Sequence, residues 1–133
     1  MSTTRDTRDT HVTHVTYDRD NIFAKILRGK IPSDRVFEDD HTLAFHDINA
    51  QAPVHVVLIP KRAYVNMDDF TAQATDQELL AFTRAVGHVA RVLGLAEGGY
   101  RVIANIGEHA NTEVPHLHVH ILGGRNLGPL LSS

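Results

Sequence analysis

The apolar positions of this chain recur with two periods, and the runs they form predict its elements. Ile22, Phe23, Ile26 and Leu27 share one face of a short helix, with Asp20 as its candidate cap and Gly29 as its stop; Pro32 prevents continuation. Two short segments, Arg35–Glu38 and Thr42–His46, flank the turn residues Asp39-Asp40 and predict a hairpin. Residues 55–59 (His-Val-Val-Leu-Ile) are almost wholly apolar and end at Pro60, the pattern of a strand buried on both faces. Thr75-Asp76-Gln77-Glu78 has the form of a capping box. Leu79, Phe82, Val86, Val89 and Leu93 then recur at helical spacing until Gly94, which predicts a long helix.

After Gly98-Gly99, residues 100–105 read as a strand, 106–113 as a polar loop and 114–122 as a last strand closed by Gly123-Gly124. This order predicts an α+β domain, an antiparallel sheet of about five strands covered on one side by helix, with one long and one short helix. Residues 1–18, rich in Thr, Asp and Arg, read as a flexible polar tail, residues 19–125 as the domain, and 126–133 as a C-terminal tail. His11 and His14 in the first tail carry no ligand geometry.

Composition narrows the classes. Apolar residues at 42% and charged residues at 22% are ordinary globular usage. A formal charge of −3 offers no broad basic field for a nucleic-acid backbone, so nucleic acid is not expected as a partner. The absence of cysteine removes disulfides, thiolate zinc sites and cysteine nucleophiles, and agrees with a reducing compartment. No apolar run approaches the roughly 20 residues of a membrane helix, and the first residues lack the apolar stretch of a signal peptide. A cytoplasmic protein without a membrane partner is therefore expected.

The chemistry lies in His116-Leu117-His118-Val119-His120-Ile121-Leu122. On an extended strand the three histidines share one face and the apolar residues the other, with same-face neighbours roughly 7 Å apart. Three imidazoles so placed either bind metal or handle protons and phosphates. Zinc or iron would take two of them plus a donor such as Glu113 or His109, but the third histidine lies too far along the strand to close the same shell. A line of imidazoles better suits a chain of phosphates. A neutral imidazole attacks phosphorus well once its other nitrogen donates a hydrogen bond, which makes the central His118 the candidate nucleophile. His116 and His120 would then hold phosphate oxygens or relay protons.

This motif, ending in Gly-Gly-Arg, resembles the histidine triad (HIT) superfamily in its HINT-like branch. The similarity extends from Asp20 to Gly124 through Ile22-Phe23-Ala24-Lys25-Ile26, Phe37-Glu38-Asp39-Asp40, Ala44-Phe45-His46-Asp47-Ile48, Gln51-Ala52-Pro53-Val54-His55 and Val57-Leu58-Ile59-Pro60-Lys61. The resemblance implies a homodimer that needs no cofactor and acts on purine nucleotides such as AMP or GMP conjugates. It implies a hydrolase cleaving nucleoside 5′-phosphoramidates or acyl and aminoacyl adenylates through a nucleotidyl-His118 intermediate. Asp47 would hold the ribose; Ile22, Phe23, Ile26, Phe45 and Ile48 would line the base pocket; Asn105 would contact phosphate; and His55 would support the triad from behind.

The chain departs from its relatives in places. Where many have Gly-Gln-Ser or Gly-Gln-Thr before the triad, this sequence has Asn111-Thr112-Glu113, so a carboxylate replaces the hydroxyl that helps the leaving group. Such a carboxylate serves as an acid if its pKa is raised, and otherwise repels phosphate. Thr112 and Glu113 are accordingly candidate nucleotide contacts. The two cysteines that relatives with structural zinc carry near Asn21 and Ala24 are absent, so no metal is expected. The histidine that follows the Ile-Pro-Lys stretch is missing, and no tryptophan occurs in the C-terminal tail. Two other readings stay open at this point: a nucleotide-binding interaction module with little turnover, and a metal-dependent enzyme using His116 and His118.

Overall fold

A computed structural model describes residues 16–112 and 114–131; the predicted tail's residues 1–15, with His11 and His14, lie outside the described residues, as do Glu113 and the last two serines. Five strands form one antiparallel sheet: β1 (Arg35–Glu38), β2 (Thr42–His46), β3 (Val54–Pro60), β4 (Tyr100–Ala104) and β5 (Val119–Gly123), in the order β1-β2-β3-β5-β4. Among the described residues three α-helices accompany them: α1 (Ile22–Leu27), α2 (Met67–Gln73) and α3 (Asp76–Val92).

β3 is the spine of the sheet, paired to β2 on one side and β5 on the other. Its side chains alternate between two cores, as a strand buried on both faces must. Val56 and Leu58 pack with Phe82, Ala85 and Val89 of α3 and with Phe70 of α2, while Val57 and Ile59 pack with Ile26 of α1 and with Leu43 and Phe45 of β2. The long helix thus covers one face, and the short α1 covers the opposite face only in part. That uncovered part is where a cavity opens.

The β1–β2 turn is closed by Asp39, whose Oδ1 accepts the N–H groups of His41 and Thr42, each at 2.8 Å. α3 begins with the capping box: Thr75 Oγ1 accepts the Glu78 N–H at 3.1 Å and Glu78 Oε1 accepts the Thr75 N–H at 2.9 Å. The buried Glu78 carboxylate also accepts the Tyr64 hydroxyl at 2.7 Å. Burial pushes its pKa up, but hydrogen bonds from Thr75 and Tyr64 outweigh burial and leave it below the ordinary value.

Four expectations are corrected. The cap of α1 is Asn21, not Asp20. Its Oδ1 accepts the Ala24 N–H at 2.9 Å while its amide donates to the Asp18 carbonyl at 2.6 Å, two roles that a carboxylate cannot combine. Among the described residues the α-helices number one long and two short, because α2 was not foreseen. It is seven residues long and buries only Phe70, too little to impose a helical period on the sequence. Helix also flanks both faces of the sheet, not one.

The last strand starts at Val119 instead of residue 114. Pro115 has no N–H to give a ladder, and the next groups bond the end of β3 and the loop that leaves it: His116 Nε2 donates to the Pro60 carbonyl at 2.9 Å and the Leu117 N–H to the Tyr64 carbonyl at 2.7 Å. β5 ends in a glycine pair with no room for side chains. A Cβ on Gly123 would stand 2.8 Å from Leu95 Cδ2, and one on Gly124, whose φ is +96°, would stand 2.8 Å from Pro53 Cβ.

Candidate active site

Because β5 starts late, the three histidines do not share one strand face. His120 lies on β5, His118 just before it, and His116 in the unpaired segment upstream. His116 is 0% exposed and does not line the cavity that its two neighbours enter. His118 and His120 project into a cavity of about 620 Å³, their rings 5.2 Å apart and nearly perpendicular.

Backbone groups fix the tautomers. His118 Nδ1 donates to the carbonyl of His116 at 2.8 Å, so the neutral ring keeps a lone pair on Nε2. The Gln51 N–H donates to His55 Nδ1 at 3.0 Å, which places the His55 proton on Nε2. That proton is given to His120 Nδ1 at 2.9 Å, leaving His120 with an N–H at Nε2. One ring therefore offers the cavity a nucleophilic lone pair and its neighbour a hydrogen-bond donor.

Burial disfavours the protonated form of all four imidazoles. It pushes His116 and His120 down to about 4. The Pro60 carbonyl partly offsets the shift of His116, whereas neighbouring His118 and His55 add to that of His120 and Asp47 offsets it. His118 is lowered by burial against the opposing effects of the His116 carbonyl and Asp47, and His55 by burial against Asp47.

Asp47, His55 and His120 bring one ligand atom each to within 4.8 Å of one another, with Asp47 Oδ2 3.4 Å from His55 Nε2. The His55 and His120 ring centroids are 5.0 Å apart and their facing nitrogens 2.9 Å apart. The two nitrogens thus lie near the line joining the rings and point at each other. A shared proton fits that alignment, whereas a metal ion needs lone pairs converging on a third point.

The cavity gathers Ile22, Phe23, Ile26, Phe45, Asp47, Ile48, Asn105, Thr112, His118 and His120 of the predicted set. His55 stands behind His120 without lining the cavity, and Glu113 lies outside the described residues. Ile48 is 92% exposed and forms the rim, where an apolar side chain without a partner suits a flat apolar ligand. Phe23 packs on His118 with ring centroids 4.9 Å apart. Asn105 directly follows β4, and Asp47, directly after β2, accepts the Asn49 N–H at 2.8 Å.

Several lining residues were not foreseen. Val57 is two positions from His55 on β3, and strand alternation alone would have placed it there. Asn111 sits at φ 59°, a conformation Asn tolerates better than most residues, and so was legible as a turn but not as a cavity wall. Gln51 acts through its backbone, which leaves no mark on residue type. Tyr17, assigned to the tail, donates its hydroxyl to His116 Nδ1 at 2.6 Å across 99 positions.

The depressed histidine pKa values make stability acid-sensitive. Below the unfolded imidazole value of about 6.5 the unfolded chain takes up protons that the folded chain refuses, so stability is lost as pH falls from there toward the folded value. For His116, pushed down to about 4, the expected loss between pH 7 and pH 5 is on the order of 2 kcal/mol. Urea denaturation at the two pH values checks it, and His116→Gln should flatten the dependence.

Comparison with known proteins agrees with this architecture. The model of the HIT domain matches residues 28–127. An uncharacterized HIT-like protein of Azospirillum brasilense is 60% identical over 116 residues, covering 87% of this chain and 95% of that one. The purine nucleoside phosphoramidase of Escherichia coli K12 is 43% identical over 113 residues, covering 85% of this chain and 94% of the enzyme. The solved structure of a HIT family hydrolase from Clostridium thermocellum superposes with a TM-score of 0.79 at 41% identity, over 86% of this chain and 99% of that one. A five-stranded antiparallel sheet and a cavity walled by α1 and lined by His118 and His120 accompany these matches, and the protein belongs to the HIT family.

Proposed function

We propose that this protein is a hydrolase of purine nucleoside 5′-phosphoramidates, and of acyl or aminoacyl adenylates, acting through a nucleotidyl-histidine on His118. The observation that carries the reading is the His118 tautomer: Nδ1–H is held by the His116 carbonyl, and the Nε2 lone pair is free at a cavity large enough for a nucleotide.

In the first half-reaction His118 Nε2 attacks the α-phosphorus; the P–N bond breaks and the nitrogen leaves as the amine with a proton taken from water, or, in an acyl adenylate, the P–O bond breaks and the carboxylate leaves unprotonated. The ring becomes cationic as the P–N bond to it forms, and its Nδ1–H then donates to the His116 carbonyl more strongly than in the ground state, which favours the transition state over bound substrate. The His120 Nε2–H is placed to hold a phosphoryl oxygen. In the second half-reaction water attacks phosphorus and releases a proton to solvent, the bond to His118 breaks with its electron pair returning to Nε2, and the nucleoside monophosphate is released.

Asp47 suits the ribose hydroxyls as an acceptor at the cavity wall, and Phe23, Ile26, Phe45, Ile22 and Ile48 suit the faces of a purine. The Escherichia coli relative, named for this activity, supports the substrate class. No helix among the described residues is long and apolar enough to cross a membrane. A cytoplasmic protein acting on soluble nucleotide conjugates remains our reading.

A homodimer is the expected assembly. β4 is an edge strand whose Tyr100 and Val102 are 38% and 47% exposed, and a second copy adding to that edge would cover them. Light scattering should give a mass near twice the 14.7 kDa of the chain; a mass of one chain at micromolar concentration would contradict the dimer.

The activity is tested with adenosine 5′-phosphoramidate. The wild type should release ammonia and AMP, and His118→Ala should lose about three orders of magnitude or more in kcat. Quenching turnover in alkaline detergent should trap nucleotide that acid later releases on the wild type, and none on the variant. The acid limb of kcat/KM should lie below the usual imidazole value of about 6.5, because burial lowers His118. Equal rates for wild type and variant would refute the reading.

A further inference from the structure

We propose that Tyr17 is a positioning residue for the nucleophile: its hydroxyl fixes the His116 ring, and through the His116 carbonyl it sets the direction in which His118 Nε2 points. The proposal deepens the phosphoramidase reading and rests on it for its kinetic consequence.

His116 is the member of the triad with no access to the cavity. A fully buried imidazole must satisfy both nitrogens inside the protein or suffer the cost of an unpaired polar group. Nε2–H is taken by the Pro60 carbonyl at 2.9 Å, which leaves Nδ1 as an acceptor. Among the described residues the hydroxyl that meets it is that of Tyr17, at 2.6 Å, with the two rings 5.5 Å apart. The ring is thus pinned at opposite ends, by the end of β3 and by Tyr17. Its backbone carbonyl, two bonds from the Cβ that carries the ring, is the acceptor that orients His118 at 2.8 Å.

Tyr17 is itself held by the turn that starts α1. The next residue, Asp18, accepts at its carbonyl the N–H of Asn21 at 3.1 Å and the Asn21 side-chain amide at 2.6 Å, while its Oδ1 accepts the Asp20 N–H at 2.9 Å. Asn21 in turn caps α1, whose Ile22, Phe23 and Ile26 line the cavity. Phe23 packs against His118 at 4.9 Å and against the edge of His116 at 6.3 Å. The segment from Tyr17 to Phe23 therefore braces the nucleophile at two points, one polar and one apolar, while presenting a wall to the ligand. Tyr17 lines no part of the cavity, so it acts on catalysis through His116 and not through substrate contact.

Tyr17→Phe removes the hydroxyl and keeps the ring. With adenosine 5′-phosphoramidate, kcat per folded molecule should fall about tenfold while KM stays within about twofold, the pattern of a misaimed nucleophile in an intact binding site. In ¹⁵N-histidine spectra the His116 Nδ1 resonance should shift, and the His118 Nδ1–H should exchange with solvent faster than in the wild type. A merely structural role would lower the unfolding midpoint and leave both kcat per folded molecule and the His118 proton unchanged, and that result would overturn the proposal. If the wild type fails to hydrolyse the phosphoramidate, the functional reading fails on its own. The His118 exchange rate still decides this one: acceleration in Tyr17→Phe supports it and an unchanged rate refutes it.

Discussion

The hydrogen bond from His118 Nδ1 to the carbonyl of His116 is the constraint on which the site depends. An imidazole free to choose its tautomer would present a lone pair to the cavity only part of the time. A ring whose Nδ1–H is engaged by a fixed carbonyl presents it always, and keeps an acceptor ready for the charge that develops when Nε2 bonds to phosphorus. Burial reinforces the choice by disfavouring the protonated ring. His120 is set in the opposite sense by the same means, through His55 and the Gln51 backbone. Two chemically identical side chains two positions apart thus meet the cavity with complementary roles.

The carbonyl of His116 is fixed because its segment is not a strand. Between Pro115 and Val119 the chain is outside the ladder and bonds the end of β3 through the His116 ring and the loop after it through the Leu117 N–H. The Tyr64 carbonyl that receives Leu117 belongs to a residue whose hydroxyl is tied to Glu78 in the capping box of α3. The long helix therefore reaches the active site without touching it. Its first turn holds Tyr64, Tyr64 holds Leu117, and Leu117 lies between the two histidines whose hydrogen bond aims the nucleophile.

Elements with strong patterns were legible in the sequence. The capping box with its helical repeat, the Asp39 turn and the apolar run of β3 each have a local physical cause, and each formed where that cause predicts. α2 was invisible because one buried Phe70 makes no period. The position of β5 was misread for a related reason: perfect alternation from His116 to His120 looks like a strand whether or not partners exist for its first half. Of the expected site residues that are described, all but His116 and His55 line one cavity. Those that escaped act through the backbone, as Gln51 does, or over a long separation, as Tyr17 does with His116. Residue type records neither kind of contact.

The tautomers of the triad are the most direct test of this account, and ¹⁵N-histidine correlation spectra of the wild-type protein at neutral pH report them without any substrate. His118 should appear as the neutral Nδ1–H form, and His120 and His116 as the neutral Nε2–H form. A His118 ring protonated at Nε2, or averaged between the two forms, would contradict the claim that the His116 carbonyl prepares the nucleophile.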